Sequence, residues 1–183
     1  MLAAWAAVGA NVNVNPVTGS QAESTIVINP TNPSNLFCSS TAAAIARFST
    51  DGGATWSNSN LAAIPASAGD VQAAWDGFGN LFITRFGPGL NVIVARSSDG
   101  GATFKDPRTV VGASSDQPSI AVGPSGQVGV PGSVWISVTN SANQIVAAGA
   151  PVTGFDLVGA FNAPQVAPGP GGDFGSIAIG PTG

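Results

Sequence analysis

Apolar positions along the chain fall in short runs separated by clusters of Gly, Pro, Asn and Asp, the pattern of short strands joined by tight turns. Between residues 71 and 112 this pattern predicts four strands: Val71–Trp75, then 80–85, 91–97, and a fourth from residue 103. The intervening turns are Asp76-Gly-Phe-Gly79, Phe86-Gly-Pro-Gly89 and Asp99-Gly-Gly101. Residues 133–139 and 144–148 continue the same plan. The expected fold class is all-β.

The pattern repeats. Ser49-Thr-Asp-Gly-Gly-Ala-Thr-Trp56 returns as Ser97-Ser-Asp-Gly-Gly-Ala-Thr-Phe104, with Asp51 and Asp99 48 residues apart. Ahead of each lies an acid, a short apolar run and a turn. This unit reads Glu23-Ser-Thr-Ile-Val-Ile-Asn-Pro30, Asp70-Val-Gln-Ala-Ala-Trp-Asp-Gly77, Asp116-Gln-Pro-Ser-Ile-Ala-Val-Gly-Pro124 and Asp173-Phe-Gly-Ser-Ile-Ala-Ile-Gly-Pro181. The acids follow one another at intervals of 47, 46 and 57 residues. A period of this length holding several strands is that of propeller blades. The expected blades are 21–66, 67–112 and 113–170, with the first strand of a fourth in 171–183 and an N-terminal segment at 1–20. Within that segment, residues 10–16 alternate apolar and polar and suit a strand that closes the ring. The turn motif of the third repeat has decayed to Gly149-Ala-Pro-Val-Thr-Gly-Phe-Asp156.

Composition narrows the chemistry. Of 183 residues 8% are charged and the net charge is −4, with five scattered basic residues: Arg47, Arg85, Arg96, Lys105 and Arg108. A row of phosphates needs clustered cations, so nucleic acid is not an expected partner. With no His, the chain holds neither a Ser-His-Asp triad nor a histidine metal site, and no cofactor or metal is expected. Cys38 is the single cysteine, sits in an apolar run, and reads as a buried thiol. The apolar start, Met1 to Gly9, is too short to span a bilayer and lacks the basic region of a signal peptide. It reads either as the apolar half of such a peptide or as part of the fold.

The two Ser-x-Asp-x-Gly-x-Thr-aromatic motifs resemble Asp boxes, the repeated turns of the bacterial neuraminidase (sialidase-like) β-propellers. Residues 23–36 resemble the opening blade of secreted bacterial proteins of that kind. The resemblance covers about residues 11–183 and implies an incomplete propeller of four-stranded blades, with further blades of the same propeller as partners. It also implies a bacterial extracellular or cell-surface setting and a carbohydrate or glycoprotein ligand. Within the motif, Ser49, Asp51, Gly53, Thr55 and Trp56, and Ser97, Asp99, Gly101, Thr103 and Phe104, are expected to be structural. The aspartates accept hydrogen bonds from their own turns, the glycines supply positive φ, and the aromatic rings pack between sheets.

Alternating strand direction assigns the faces. The acid-led ends of the inner strands, with Glu23, Asp70, Asp116, Asp173 and Arg85, fall at one mouth of the central channel. The Asp-box turns, Asp76, Arg47 and Arg96 fall at the other. The four acids and Arg85 are the ligand-binding candidates; alternatively, each acid caps a local turn. A sialidase resemblance would further imply an arginine triad, an Arg-Ile-Pro motif, a tyrosine nucleophile with a glutamate partner, and an aspartate acid. This sequence has no Tyr and no Arg-Ile-Pro. The expected function is therefore a carbohydrate-interacting, sialidase-like propeller that is not catalytic in this segment. The alternatives are an exo-sialidase-like glycoside hydrolase whose catalytic residues lie in further C-terminal blades, and an assembly or stability factor.

Overall fold

The computed structural model describes residues 11–14, 16–19, 21–41, 45–65, 69–173 and 175–183. They form three antiparallel sheets in chain order. The first contains β1 (Thr25–Ile28), β2 (Leu36–Ser40), β3 (Ile45–Ser49) and β4 (Ser57–Asn58), paired in that order. The second repeats the order with β5 (Val71–Trp75), β6 (Leu81–Phe86), β7 (Val92–Ser97) and β8 (Lys105–Val111). The third has β9 (Ser114–Gly123), β10 (Gly132–Asn140) and β11 (Ile145–Gly154). Its outermost position is shared by two short pieces, β12 (Leu157–Val158) at one end of β11 and β13 (Gln165–Val166) at the other. The inner strands of successive sheets are neighbours, β5 packing beside β1 and β9. This is blade-on-blade order around an axis.

Alternation along the strands explains the packing. In the middle blade Val71, Ala73, Trp75, Leu81, Ile83 and Ile93 point at the first blade and bury Phe37 between them. Phe82, Phe86, Val92 and Val94 point the other way, onto Val134, Ile136, Val138 and Val152 of the third. A sheet covered on both faces needs apolar residues in succession, and all six residues of β6 are buried.

Most expected strands are present with ends shifted by a residue or two. The one expected at 144–148 runs on to Gly154, because residues 149–152 pair with β10 and the turn expected from Gly149 is displaced beyond them. Two further expectations meet a different outcome. Ile177–Ile179 has no ladder, because a strand requires a partner and none of the described segments pairs with it; Ile179 instead lies against Gly123 of β9. Of the proposed closing strand, residues 10 and 15 lie outside the described residues, as does the apolar start. Residues 11–14 form no ladder, and Val12, Asn13 and Val14 line a cavity with Cys38, Ser40 and Arg47. Arg47, expected on the Asp-box face, therefore lies mid-strand against this N-terminal segment. Cys38 is half-buried rather than fully buried, a free thiol whose pKa burial pushes up.

Candidate functional site

The two Ser-Asp-Gly-Thr turns have the same internal bonding. Ser49 Oγ donates to Asp51 Oδ1 (2.8 Å) and accepts from the Gly53 N–H (2.9 Å). Asp51 accepts from the Thr55 N–H and hydroxyl, at 2.9 and 2.6 Å. Ser97, Asp99, Gly101 and Thr103 reproduce each bond. Hydrogen bonds from Thr55 and Ser49 hold the Asp51 carboxyl down at about 2. At Asp99 burial acts upward, but the Thr103 and Ser97 bonds outweigh it and the carboxyl is held low. Gly52 and Gly53, and Gly100 and Gly101, all have positive φ, between 74° and 92°. Phe104 is buried edge-on to Phe37 of the preceding blade, with ring centroids 5.4 Å apart. Trp56 stays half-buried, because no sheet precedes it among the described residues; its Nε1 donates to Gly53 O.

Sequence reasoning missed what joins one blade to the next. Asn35, before β2, donates from Nδ2 to Ser49 O in its own blade and to Gly100 O in the next, both at 2.9 Å. Asn80, at the equivalent place before β6, donates to Asp76 Oδ2 (2.7 Å) and to Gly154 O of the third blade (3.1 Å). Its Oδ1 accepts from the Asp156 N–H at 2.7 Å. The signal was present as Asn-Leu-Phe at 35–37 and again at 80–82. The decayed motif of the third blade keeps one acid, Asp156, which takes Arg96 (2.5 Å) and Lys105 (2.7 Å) from the middle blade. Arg96 also pairs with Asp106, and that contact holds the Asp106 carboxyl low. Arg96 is thus engaged in holding two blades together.

At the opposite end, three of the four expected acids meet. Glu23 precedes β1, Asp70 precedes β5, and Asp116 lies in β9, so each comes from a different blade. Burial pushes the Asp70 carboxyl upward, but hydrogen bonds from Glu23, from the Gln117 N–H (3.0 Å) and from Asp116 outweigh it and leave it low. Glu23 moves up, first through its hydrogen bond with Asp70, then through burial and the like charge. Asp116 moves up through burial first, then through contact with Asp70, with the charge of Asp173 adding to the shift. Asp70 is therefore drawn towards ionisation while its two neighbours are drawn towards protonation. Asp173 reaches this group only through its field.

The backbone is bent to make this meeting possible. Glu23 and Gln117 have φ of 52° and 41°, conformations that cost a residue with a Cβ about 1–2 kcal/mol. β9 carries one extra residue between Asp116 and Ser119, a bulge at Gln117-Pro118. Pro118 has no N–H to give to the ladder, and the bulge turns the Gln117 N–H out towards Asp70. A cavity of about 190 Å³ lies here, lined by Glu23, Ser24, Asp70, Gln72, Gln117 and Pro118. Arg85 is opposite Val71 on β6, close in register to Asp70, but it is buried, with desolvation drawing its pKa down, and it does not line the cavity. Among the described residues no group of three Asp, Glu, Cys or His is arranged to hold a metal ion. None of their helices is long and apolar enough to cross a membrane.

Successive four-stranded antiparallel sheets with neighbouring inner strands define a sialidase-like β-propeller fold. Among solved structures, the intramolecular trans-sialidase from Ruminococcus gnavus, determined in complex with oseltamivir carboxylate, is similar to this chain. The TM-score is 0.50 at 15% identity, over 81% of this chain and 32% of that one. The chain thus spans about a third of that protein's length, and the likeness is one of fold. No protein-family model matches the chain, and no curated protein matches it.

Proposed function

We propose that this chain forms the ligand-binding mouth of a sialidase-like propeller in a secreted bacterial protein, and that the mouth engages a neutral carbohydrate without cleaving it. The observation that carries this reading is the convergence of Glu23, Asp70 and Asp116 from three blades beside one cavity, which Glu23 and Asp70 line. Carboxyl oxygens converging from three blades, together with the Ser24 and Gln72 side chains, suit paired sugar hydroxyls. An anionic sugar is disfavoured, because Asp70 and Asp173 present negative charge and no arginine lines the cavity to clamp a carboxylate.

Hydrolysis by this group is a poorer fit. Neighbouring carboxyls whose pKa values are pushed apart are what an acid and a base require. Glycosidases, however, hold the two groups about 5–9.5 Å apart, with the scissile bond between them. Here the carboxyls hydrogen-bond to each other and leave no such gap.

Calorimetric titration with lactose and with sialyllactose, beside an assay with a fluorogenic sialoside, tests the proposal. Lactose should bind in preference to sialyllactose, Asp70→Asn should weaken binding about tenfold, and the sialoside should not turn over. Sialoside cleavage, or lactose binding indifferent to Asp70→Asn, would sink it.

A further inference from the structure

The mouth opposite the acids holds a second cavity, of about 440 Å³, where the first turns of all three blades meet. Pro30 comes from the first blade, Asp76 and Phe78 from the second, and Pro124, Pro131 and Ser133 from the third. Phe78 is pressed onto the third blade at Gly132, where a Cβ would come within 3.0 Å of its ring. The walls are set by the packing of three blades, not by a single loop.

Asp76 is the one charged residue lining this cavity, and it is only 5% exposed. Its carboxylate accepts from the Phe78 N–H, the Asn80 N–H and Asn80 Nδ2, at 2.9, 2.9 and 2.7 Å. These donors are neutral, so they satisfy its oxygens without cancelling its charge. Arg96 and Lys105 are paired with Asp106 and Asp156 and do not line the cavity. A carboxylate drawn this far out of water without a counter-ion is costly, and a cation beside it recovers part of that cost. The attraction acts through space, so the cation need not touch Asp76.

The neutral groups of the wall favour the same kind of guest. The Ser133 hydroxyl is directed at the Gly123 and Pro124 carbonyls, at 3.4 and 3.2 Å, and its oxygen keeps lone pairs for an incoming donor. The face of the Phe78 ring carries negative partial charge and attracts cations. An anion would be repelled here, and a neutral hydroxyl would gain nothing from the field of Asp76. Metal ions need several charged or nitrogen and sulfur ligands, and among the described residues no such group of three exists.

We propose that this cavity binds a small primary alkylammonium ion. The ammonium group donates to Ser133 Oγ and the Pro124 carbonyl within the field of Asp76, and the alkyl chain lies along Phe78 and the prolines. The site is separate from the acid mouth, so its failure would leave the carbohydrate reading untouched.

Backbone amide signals of the full chain, followed by heteronuclear NMR, report on both mouths at once. Butylammonium should move the Phe78 and Gly132 signals saturably. 1-Butanol, of the same size and uncharged, and butyrate should bind there at least about tenfold more weakly. The Gln117 signal at the acid mouth should respond only at higher concentration. Asp76→Asn should abolish the preference for the ammonium over the alcohol. If that variant fails to fold, Phe78→Leu, which keeps an apolar wall and removes the ring face, should weaken butylammonium about threefold. Phe78 and Gly132 signals that do not move overturn the proposal, as do signals moved equally by 1-butanol or butyrate. So does a Gln117 response of equal affinity, which would mark attraction to acids in general, or binding that neither variant weakens.

Discussion

Asn80 makes three side-chain hydrogen bonds with no exposure to solvent, and two of them cross to the next blade. Asn80→Ala would strand Gly154 O and the Asp156 N–H, and should lower stability by about 3 kcal/mol in urea denaturation. Asn32→Ala, at an exposed turn, should change it by less than about 0.5 kcal/mol. The two residues are the same amino acid in loops of similar composition, so the sequence does not separate them. What separates them is a carbonyl 74 positions further along the chain. The bonds inside the Ser-Asp-Gly-Thr turns were legible because every donor and acceptor lies within a few residues. The clasp between blades was not, because its acceptor belongs to another repeat. For the same reason Asp156 read as the remnant of a lost motif, although its partners are Arg96 and Lys105.

At the level of elements, each turn glycine combines a backbone angle with a space. Gly52 and Gly101 both have positive φ, but a Cβ at Gly52 would meet nothing within 4 Å. At Gly101 it would come within 3.1 Å of Phe37, 3.2 Å of Phe48 and 3.3 Å of Leu81. Gly52→Ala should therefore cost only the conformational strain, about 1 kcal/mol, while Gly101→Ala adds overpacking between blades and should cost about 2–4 kcal/mol. Thermal denaturation of the two variants compares them directly. Strand order and most strand ends were readable from the period of two and from the turn residues. The bulge at Gln117-Pro118 was not, since an acid followed by an apolar run looks the same with or without an extra residue. That bulge supplies one of the hydrogen bonds that hold the Asp70 carboxyl low.

Over the whole molecule, carboxyl groups couple stability to pH in two opposed ways. Asp51, Asp99, Asp106 and Asp70 have folded values below the ordinary ones. Their contribution is present above the ordinary aspartate value of 3.8 and is lost as pH falls, for Asp51 through about 2. Glu23 and Asp116 have raised folded values, so their contribution is present below their ordinary values of 4.5 and 3.8 and is lost as pH rises through the raised ones. Urea denaturation across acid pH should show stability falling on both sides of a maximum, and Asp70→Asn should flatten the side of rising pH. The placement of Glu23, Asp70 and Asp116 at one mouth followed from the repeat and strand direction alone. Their contact and the opposed directions of their shifts came from the curvature that sets one blade against the next, which a linear pattern does not carry.

That contact is most directly tested by following the carboxyl carbons of Glu23, Asp70 and Asp116 through a pH titration by NMR, in the native chain and in Asp70→Asn. Asp70 should titrate below the ordinary aspartate range, and Glu23 and Asp116 above theirs. Both should return towards ordinary values when Asp70 is replaced. Glu23 and Asp116 titrating normally in the native chain, or unmoved by the replacement, would contradict the convergence of three blades on one mouth.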